Sequence, residues 1–477
     1  MIKLALVAVV VVILLIAFII VIRNKPDLWF WIFLNLYFDP GGYVYGFLGG
    51  TLVGPLSIAD VFICGMVICL IFANINWKII FEDTLFRQFL FSLLIFSAYF
   101  FIVYGGIVPY FHNDFNYSTF LIKNRLFAYG FVILPAAYVF SLKSLHYFYT
   151  ATLSVGVICL TLYLISLLTG VGLIPIEEMA RNSGDEMTRV FINNYGIFYL
   201  LFPISLTTYL LSKRINLNLK YKNWLYYSGI VMIITMLLTL TRRVQLDIII
   251  TIVTITFLIS YLFRTGKLSE MFKVLIPSLV VVLVLSFTFP KYIGYISTIG
   301  EDTYLLITTG KDSSGEGDDR VSGGGEMEIT KKYISENLFF GTGYTYLHWG
   351  RGYATSVRGD RFAIAADAAG EVPIYYLLFG FGIAGAILMF PLYFFMVKVF
   401  FNLLKLLRLN LINFLQDPLT IIFSIYILLI IAGKFTHRLY ALSMDFTGEN
   451  LSATALLMGV CLALHRKIYT CSFTKQT

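Results

Sequence analysis

Long apolar runs separated by short polar segments recur along the whole chain of 477 residues. About 20 predominantly apolar residues are enough for an α-helix to cross the hydrocarbon core of a bilayer. The pattern therefore predicts an all-α polytopic membrane protein with 12 or 13 transmembrane helices. The predicted spans are residues 2–22, 57–75, 86–108, 120–142, 148–173, 190–211, 224–240, 246–263, 274–290, 372–397, 419–431 and 451–464.

The number of spans depends on residues 28–53. Asp39-Pro40-Gly41-Gly42 interrupts this apolar stretch, which predicts one short span followed by a turn or a re-entrant piece. A single crossing gives 13 spans and an external N-terminus, whereas 12 spans leave the N-terminus inside. Residues 2–22 are expected to be an uncleaved first span, because no small-residue cleavage site precedes Arg23-Asn24-Lys25.

Lysine and arginine segments predict the orientation, because cytoplasmic loops are enriched in these residues. Such segments occupy residues 213–222, 264–273 and 398–408, and Arg466-Lys467 follows the last span. This places the C-terminus in the cytoplasm and residues 291–370 outside, as one large loop between the tenth and eleventh long spans or thereabouts. The chain then divides into N-terminal helices (1–290), the external loop (291–370) and C-terminal helices (371–477). Within the loop, residues 328–338 are predicted to form a short amphipathic helix.

The composition excludes most other classes of protein. Hydrophobic residues make up 59% of the chain and charged residues 13%, with a mean hydropathy of +0.83. Soluble domains average about 45–50% apolar and about 25% charged residues, so a soluble enzyme, a disordered chain and a disulfide scaffold are excluded. The net charge of +8 is explained by topology and does not indicate nucleic-acid binding. None of the five cysteines lies in the long polar loop, so no disulfide and no cysteine metal site is expected.

Several arginines lie on the predicted outer side, although external loops near span ends usually contain few lysines and arginines. A guanidinium group matches the geometry of phosphate, so these arginines predict binding of a lipid phosphate or pyrophosphate. The prediction is strongest for the adjacent pair at a helix tip, Arg242 and Arg243. Anchoring to lipid headgroups, or ion pairing with carboxylates such as Asp247, is the alternative. The candidate pyrophosphate-binding residues are Arg189, Arg242, Arg243, Arg351, Arg358, Arg361 and Arg438.

A general base has to lie within reach of the hydroxyl that it deprotonates. Glu371 is expected to begin the helix after the external loop, where the helix dipole favours its charged form. A simple capping role is the alternative, and Asp367 and His348 are the other candidate catalytic residues. Residues 309–319 are acidic and glycine-rich but lack the EF-hand spacing, so no metal is expected there. The candidate residues for stacking on sugar rings, which an interfacial aromatic belt would equally explain, are Tyr344, Tyr346, Trp349 and Tyr353.

Three short motifs carry a resemblance to a known family. Residues 238–243 (LTLTRR) end a helix on threonine and arginine, residues 337–344 (NLFFGTGY) lie in the long loop, and residues 378–385 (LFGFGIAG) follow it. With these motifs the chain resembles the O-antigen polymerase (Wzy-type) and O-antigen ligase family, membrane glycosyltransferases of the GT-C class. Leu338 replaces the proline usual in the second motif, and Glu371-Val372 replaces the histidine-asparagine pair usual in ligases. The second departure favours a polymerase.

The resemblance implies a reaction at the outer face of a bacterial inner membrane. A sugar hydroxyl of one lipid-linked oligosaccharide attacks the anomeric carbon of another, and undecaprenyl pyrophosphate leaves. The resemblance implies no cofactor. The expected partners are membrane lipids and two proteins, a flippase and a chain-length regulator. Two alternatives stay open. One is a glycan ligase, and the other is a transporter or flippase of lipid-linked oligosaccharides, although few charges lie in the middle of the spans.

Overall fold

The computed structural model describes residues 20–38, 51–53, 56–73, 75, 77–107, 110, 117–173, 176–180, 188–192, 200–238, 242–263, 305, 325–342, 360–371, 373–414, 417–436 and 450–473. Within these residues the fold is predominantly helical. The α-helices are α1 (Pro26–Phe38), α2 (Ile58–Phe72), α3 (Trp77–Glu82), α4 (Thr84–Tyr99), α5 (Tyr117–Lys143), α6 (His146–Thr169), α7 (Leu201–Ser212), α8 (Lys222–Leu238), α9 (Arg242–Phe263), α10 (Gly325–Glu336), α11 (Asp360–Glu371), α12 (Pro373–Asn410), α13 (Pro418–Thr436) and α14 (Asn450–Phe473). A π-helix, Phe100–Ile107, continues α4, and a 3₁₀ turn, Leu411–Phe414, follows α12.

Two short antiparallel hairpins accompany the helices. Strand β1 (Thr51–Val53) pairs with β2 (Leu56–Ser57), and β3 (Ile176–Ala180) pairs with β4 (Thr188–Ile192). The second hairpin corrects the span predicted at 190–211. Residues 190–192 belong to β4, and the helix begins only at Leu201. The threonine and the β-branched residues of β4 suit a strand, although the apolar run continues into α7.

Four helical segments in the described part of the chain are long and apolar enough to cross a membrane. They are Thr84–Val103, His146–Thr169, Leu377–Asn410 and Leu451–Cys471. Five shorter apolar helical segments, of 10–17 residues, coincide with α2, the second half of α5, α7, most of α9 and most of α13. The predicted spans 2–22, apart from its last residues, and 274–290 lie outside the described residues. The structure therefore has helices suited to a membrane, while the total of 12 or 13 remains a prediction.

Helices α13 and α14 lie in the centre of the bundle. The side chains from Thr420 to Ile431 are all buried, and α14 packs along much of α5. A Cβ on Gly459 would lie 2.7 Å from the Leu134 carbonyl oxygen and 2.8 Å from the Ala137 Cβ. Small residues at such a crossing let two helix backbones approach closely, as is common in membrane bundles.

The outward faces of the bundle are apolar. Phe91, Phe257, Phe390 and Phe394 are each at least 60% exposed, on α4, α9 and α12. Large exposed apolar surfaces are rare on soluble monomers. The distribution of side chains fits a bundle whose outer surface contacts lipid.

One end of the bundle collects basic residues. Three ion pairs there join helix ends distant in sequence: Lys143 with Asp27, Arg466 with Asp83 and Lys467 with Asp417. Burial alone would raise the pKa of the Asp417 carboxyl. Hydrogen bonds from Lys467 and Thr420, with the lysine's charge, outweigh burial and hold that pKa below its usual value. We call this the basic end.

Helices α7, α9 and α12 also finish at the basic end. The Arg214 guanidinium lies over the Phe263 ring at 5.2 Å, and Arg408 lies over the Tyr261 ring at 4.3 Å. These contacts join the C-terminal ends of the three helices. Their N-terminal ends therefore point to the opposite end of the bundle. We call it the acidic-cap end, because α10 and α11, which lie there, carry more acidic than basic residues.

Candidate functional site

Helices α10 and α11 pack on each other and on the first part of α12 around a small core of their own. Its buried members include Ile334, Phe362 and Phe379, and Tyr333 packs against them. The Tyr333 and Phe362 rings meet edge to face with centroids 5.4 Å apart, and Phe362 and Phe379 are also 5.4 Å apart. Such aromatic pairs contribute about 0.5–1.5 kcal/mol beyond the area they bury. We call α10, residues 337–342 and α11 the cap.

Small residues let α11 lie close to α10. Ala363, Ala365 and Ala369 are fully buried on α11. The hydroxyl of Thr330, also fully buried, donates a hydrogen bond to the Ala365 carbonyl oxygen at 3.1 Å. On the opposite face of α10, Lys332 and Glu336 are exposed and 4.0 Å apart. The predicted amphipathic helix at 328–338 is thus present as Gly325–Glu336.

Residues 337–342 are joined to α12 through backbone hydrogen bonds. The amide groups of Ile383 and Ala384 donate to the carbonyl oxygens of Leu338 and Phe339, at 2.9 and 3.0 Å. In return, the Thr342 amide and hydroxyl both donate to the Phe379 carbonyl oxygen, at 2.7 and 2.8 Å. Helix interruptions leave backbone groups without intrahelical partners, and these bonds satisfy such groups on both sides of Gly382.

Two glycines make this contact sterically possible. Gly341 has φ of 72°, and Gly382 has φ of 61° with ψ of −170°, a combination restricted to glycine. A Cβ on Gly341 would lie 2.7 Å from the Gly382 amide nitrogen, and one on Gly382 would lie 2.5 Å from the Gly341 amide nitrogen. We call residues 337–342 and 379–384 the glycine lock. It joins two of the three motifs that carry the family resemblance.

The candidate carboxylates Asp367 and Glu371 both belong to α11. They are four residues apart, so their backbone positions lie on the same side of this helix. Glu371 is the last residue of α11, whereas the sequence pattern placed it at the beginning of the next helix. That helix, α12, starts two residues later at Pro373, a residue favoured in a first turn. The expectation that Glu371 begins the helix after the loop is therefore corrected, since it ends α11 and precedes the first residue of α12 by two positions.

The candidate arginines fall on three elements. Arg242 and Arg243 are the first two residues of α9, and Arg189 lies in β4 opposite Met179. Arg361 is exposed on the first turn of α11. The structure thus places Arg361 in the cap, on the same helix as Asp367 and Glu371.

Helix lengths relate the arginine pair to the cap. Arg408 on α12 contacts Tyr261 on α9 at the basic end. With a rise of 1.5 Å per residue, Arg242 lies about 29 Å along α9 from this contact, and Gly382 lies about 39 Å along α12. Both positions are at the acidic-cap end, with the cap farther from the basic end than the arginine pair.

The remaining candidate residues lie outside the described residues, in the segments 343–359 and 437–449. The acidic segment 312–319 and the predicted loop boundary at 291 are outside them as well. The candidates concerned are His348, Arg351, Arg358, Arg438, Tyr344, Tyr346, Trp349 and Tyr353.

Besides helix α11 itself, two features at this end were not predicted from the sequence. The first is the glycine lock, since the motifs indicated a family but not their contact. The second is Asp60 in the first turn of α2, which accepts hydrogen bonds from the Ser57 amide and hydroxyl and from the Tyr129 hydroxyl. Ser57 followed three residues later by an acid just before an apolar run is a capping signal. This carboxylate is engaged by the fold and positions α2 against α5.

The tip of the cap is apolar. Leu338, Phe339 and Phe340, which belong to the glycine lock, are 44%, 60% and 48% exposed. Consecutive exposed aromatic and aliphatic side chains are unfavourable in water, but they are favourable in the interfacial region of a bilayer. The tip is therefore suited to a position at the membrane surface.

Comparisons with known proteins add no identification. A scan against protein-family models matches none of them, and a search of curated proteins gives no match.

Proposed function

We propose that this protein polymerises undecaprenyl-pyrophosphate-linked oligosaccharide repeat units into a surface polysaccharide at the outer face of a bacterial inner membrane. The polysaccharide is an O-antigen, a capsule or an exopolysaccharide. The observation that carries the proposal is the glycine lock. Two motifs about 40 residues apart, singled out for their family resemblance, meet through four hydrogen bonds and two glycines. That contact explains why both the second and the third motif contain glycine at these positions.

The helix directions support a polytopic arrangement. Asp27 at the start of α1 pairs with Lys143 at the basic end, while the Tyr37 hydroxyl, near the end of α1, bonds the Ser452 hydroxyl at the start of α14. Helix α1 therefore points from the basic end towards the opposite end, over the roughly 20 Å that its 13 residues span. This favours the 13-span alternative, with the N-terminus outside. The positive-inside rule assigns the basic end, and the C-terminus with it, to the cytoplasm.

The membrane level of the site follows from the same assignment. A hydrocarbon core is about 30 Å thick, and the headgroup regions bring the bilayer to about 40–45 Å. With the Arg408–Tyr261 contact at the inner boundary, Arg242, at about 29 Å along α9, reaches the outer edge of the core, and Gly382, at about 39 Å, the headgroup region. A pyrophosphate joining a polyprenyl tail to a sugar occupies this level.

The proposed chemistry is a glycosyl transfer that needs no external energy source, because the donor is already activated as a pyrophosphate ester. The acceptor hydroxyl forms a bond to the anomeric carbon of the donor as the bond from that carbon to the pyrophosphate oxygen breaks. The bonding electrons leave with undecaprenyl pyrophosphate, and the hydroxyl proton passes to Glu371, with Asp367 and His348 as the alternative acceptors. Arg242 and Arg243, with the other candidate arginines, stabilise the charge that develops on the leaving group.

Two other functions use the same lipid-linked substrate. A ligase would transfer the finished glycan to a different acceptor, but the histidine-asparagine pair expected for it is replaced by Glu371-Val372. A flippase would move the lipid-linked unit without breaking a bond. The cap favours an enzyme over a flippase, because it places Asp367, Glu371 and Arg361 on one helix at the predicted outer surface.

A gel of surface polysaccharide from a strain lacking this gene separates the three functions. A polymerase deletion leaves single repeats attached to the acceptor. Long polymer that is not attached to the acceptor indicates a ligase, and loss of both forms indicates a flippase. Either of the last two patterns contradicts the proposal.

A further inference from the structure

A groove at the basic end opens on the outward surface between α9 and α12. Its volume is about 500 Å³, and the described residues that line it are Tyr261, Phe401, Leu404, Lys405, Arg408 and Leu409. Phe401 and Leu409 are 62% and 69% exposed, so the groove is open to whatever surrounds the bundle. Apolar side chains and two cations line it, and no carboxylate is among these six residues.

Arg408 is held in place from one side only. Its guanidinium stacks over the Tyr261 ring at 4.3 Å, and its Nη1 donates a hydrogen bond to the Tyr261 hydroxyl at 2.7 Å. Its buried Nε has no hydrogen-bond partner among the described residues. Nε is buried and cannot reach an anion in the groove, but the exposed end of the guanidinium carries further N–H groups that an anion can accept.

In a neighbouring cleft at the same end, by contrast with the groove, the arginine is paired with a carboxylate. This cleft shares Lys405, and its arginine, Arg466, is paired with Asp83, which also accepts a hydrogen bond from the Tyr138 hydroxyl. The charge of Arg466 is thus compensated within the fold. The positive charge of Arg408 has no carboxylate within ion-pairing distance in the described part of the chain.

We propose that the groove of Tyr261, Lys405 and Arg408 is a binding site for an anionic phospholipid of the cytoplasmic leaflet. The two cations bind the headgroup phosphate, and Phe401, Leu404 and Leu409 contact the start of the acyl chains. Basic pockets between transmembrane helices on the cytoplasmic side are suited to anionic headgroups. The assignment rests on the membrane character and orientation of the bundle and is independent of the proposed glycosyl transfer.

The test uses the purified full-length protein in a zwitterionic detergent, with native mass spectrometry to measure binding of phosphatidylglycerol. Phosphatidylcholine with the same acyl chains is the comparison lipid. Each cation near the surface contributes about five-fold to affinity for an anionic lipid. The double variant Lys405→Gln, Arg408→Gln is expected to bind phosphatidylglycerol about 30-fold more weakly than the unaltered protein, with little change for phosphatidylcholine.

The matched control is Lys213→Gln, Lys222→Gln, which removes the same charge at the same end. Lys213 also lies over a tyrosine ring, that of Tyr209, at 5.2 Å, but neither lysine lines the groove. Its affinity is expected to stay within about two-fold of the unaltered protein. An equal loss in the control, no loss in the groove variant, or equally tight binding of phosphatidylcholine would overturn the proposal.

Two further measurements complete the test. Tyr261→Phe keeps the ring but removes the hydroxyl that orients Arg408, and is expected to weaken phosphatidylglycerol binding by roughly five-fold. This variant preserves the test if the double variant does not fold, and unchanged binding would count against the site. Glycerol phosphate, which carries the headgroup charge without acyl chains, should not displace the lipid. Displacement at equal concentration would identify a free phosphate as the ligand and contradict the lipid assignment.

Discussion

Gly341 and Gly382 face each other so closely that neither position has room for a Cβ. On Gly341 that atom would lie 2.7 Å from the Gly382 amide nitrogen, and on Gly382 it would lie 2.5 Å from the Gly341 amide nitrogen. Because both obstacles are backbone atoms, no side-chain rotation can relieve them. The docking of the cap on α12 therefore depends on two residues that have no side chains.

Gly341→Ala or Gly382→Ala should release the cap. The positive φ costs about 1–2 kcal/mol for a non-glycine residue, and overpacking adds about 1–3 kcal/mol. Trypsin cleavage at Lys331 and Lys332 of α10 should therefore be about 30-fold faster or more, since about 2 kcal/mol changes the undocked population by that factor. The measurement is the initial cleavage rate in detergent, with the fragments identified by mass.

Two glycines outside the cap serve as controls for a glycine-to-alanine change as such. Gly170 has φ of 70°, but a Cβ added there would meet nothing within 4 Å, so Gly170→Ala tests backbone strain alone. Gly172 has the same open surroundings without the positive φ. Cap cleavage should be unchanged in both variants. If Gly382→Ala also leaves the cleavage rate unchanged, the glycine lock does not hold the cap.

The sequence predicted the helices well where apolar runs were long and uninterrupted. It also predicted α10, because Ile329, Tyr333 and Ile334 recur at helical spacing. Helix α11 was not predicted, and Glu371 was assigned to the start of the next helix, although Pro373 marks a boundary by restricting the residue before it. The glycine lock could not be predicted, because a glycine in an apolar run has several explanations. Only the fold brings residues 337–342 to residues 379–384.

Labelling of introduced cysteines tests the orientation. In a variant without its own five cysteines, Glu336→Cys on α10 should react with a membrane-impermeant thiol reagent in intact spheroplasts. Asn216→Cys, in the loop between α7 and α8, should react only after permeabilisation. Both positions are accessible, Glu336 with 53% of its side chain exposed. Labelling of Asn216→Cys in intact cells would reverse the orientation and place the cap in the cytoplasm.

Arg242→Ala should abolish polymer formation while the protein remains in the membrane. Removing a charged group that stabilises a transition state typically costs about 100- to 1,000-fold in rate. Arg242→Lys should recover little, because an ammonium group cannot make the two-pronged contact with phosphate. Arg243 is tested in the same way, and polymer length on gels is the measurement.

The control for the arginine pair is Lys332→Ala, which removes an exposed charge from the cap. Its described ion pair joins it only to Glu336 on the same helix, at 4.0 Å. This variant should make normal polymer. Normal polymer from both Arg242→Ala and Arg243→Ala would show that the pair anchors lipid headgroups.

Glu371→Gln should bind the lipid-linked donor yet form almost no polymer. Glutamine keeps the shape of the side chain and its hydrogen bonding but cannot accept a proton, and loss of a general base costs roughly 100- to 10,000-fold in rate. Asp367→Asn, one turn earlier on α11, and His348→Ala are compared in the same assay. Near-normal polymer from Glu371→Gln, with loss in one of the other two, would reassign the base.

The most direct measurement is elongation by the purified protein. Undecaprenyl-pyrophosphate-linked repeats are supplied as the only substrate in excess chelator, and products are separated by length. The account predicts a ladder of oligomers, each one repeat longer than the last, with release of undecaprenyl pyrophosphate. Unchanged repeats after incubation with folded protein, with and without added magnesium or calcium, would contradict the proposed polymerase activity.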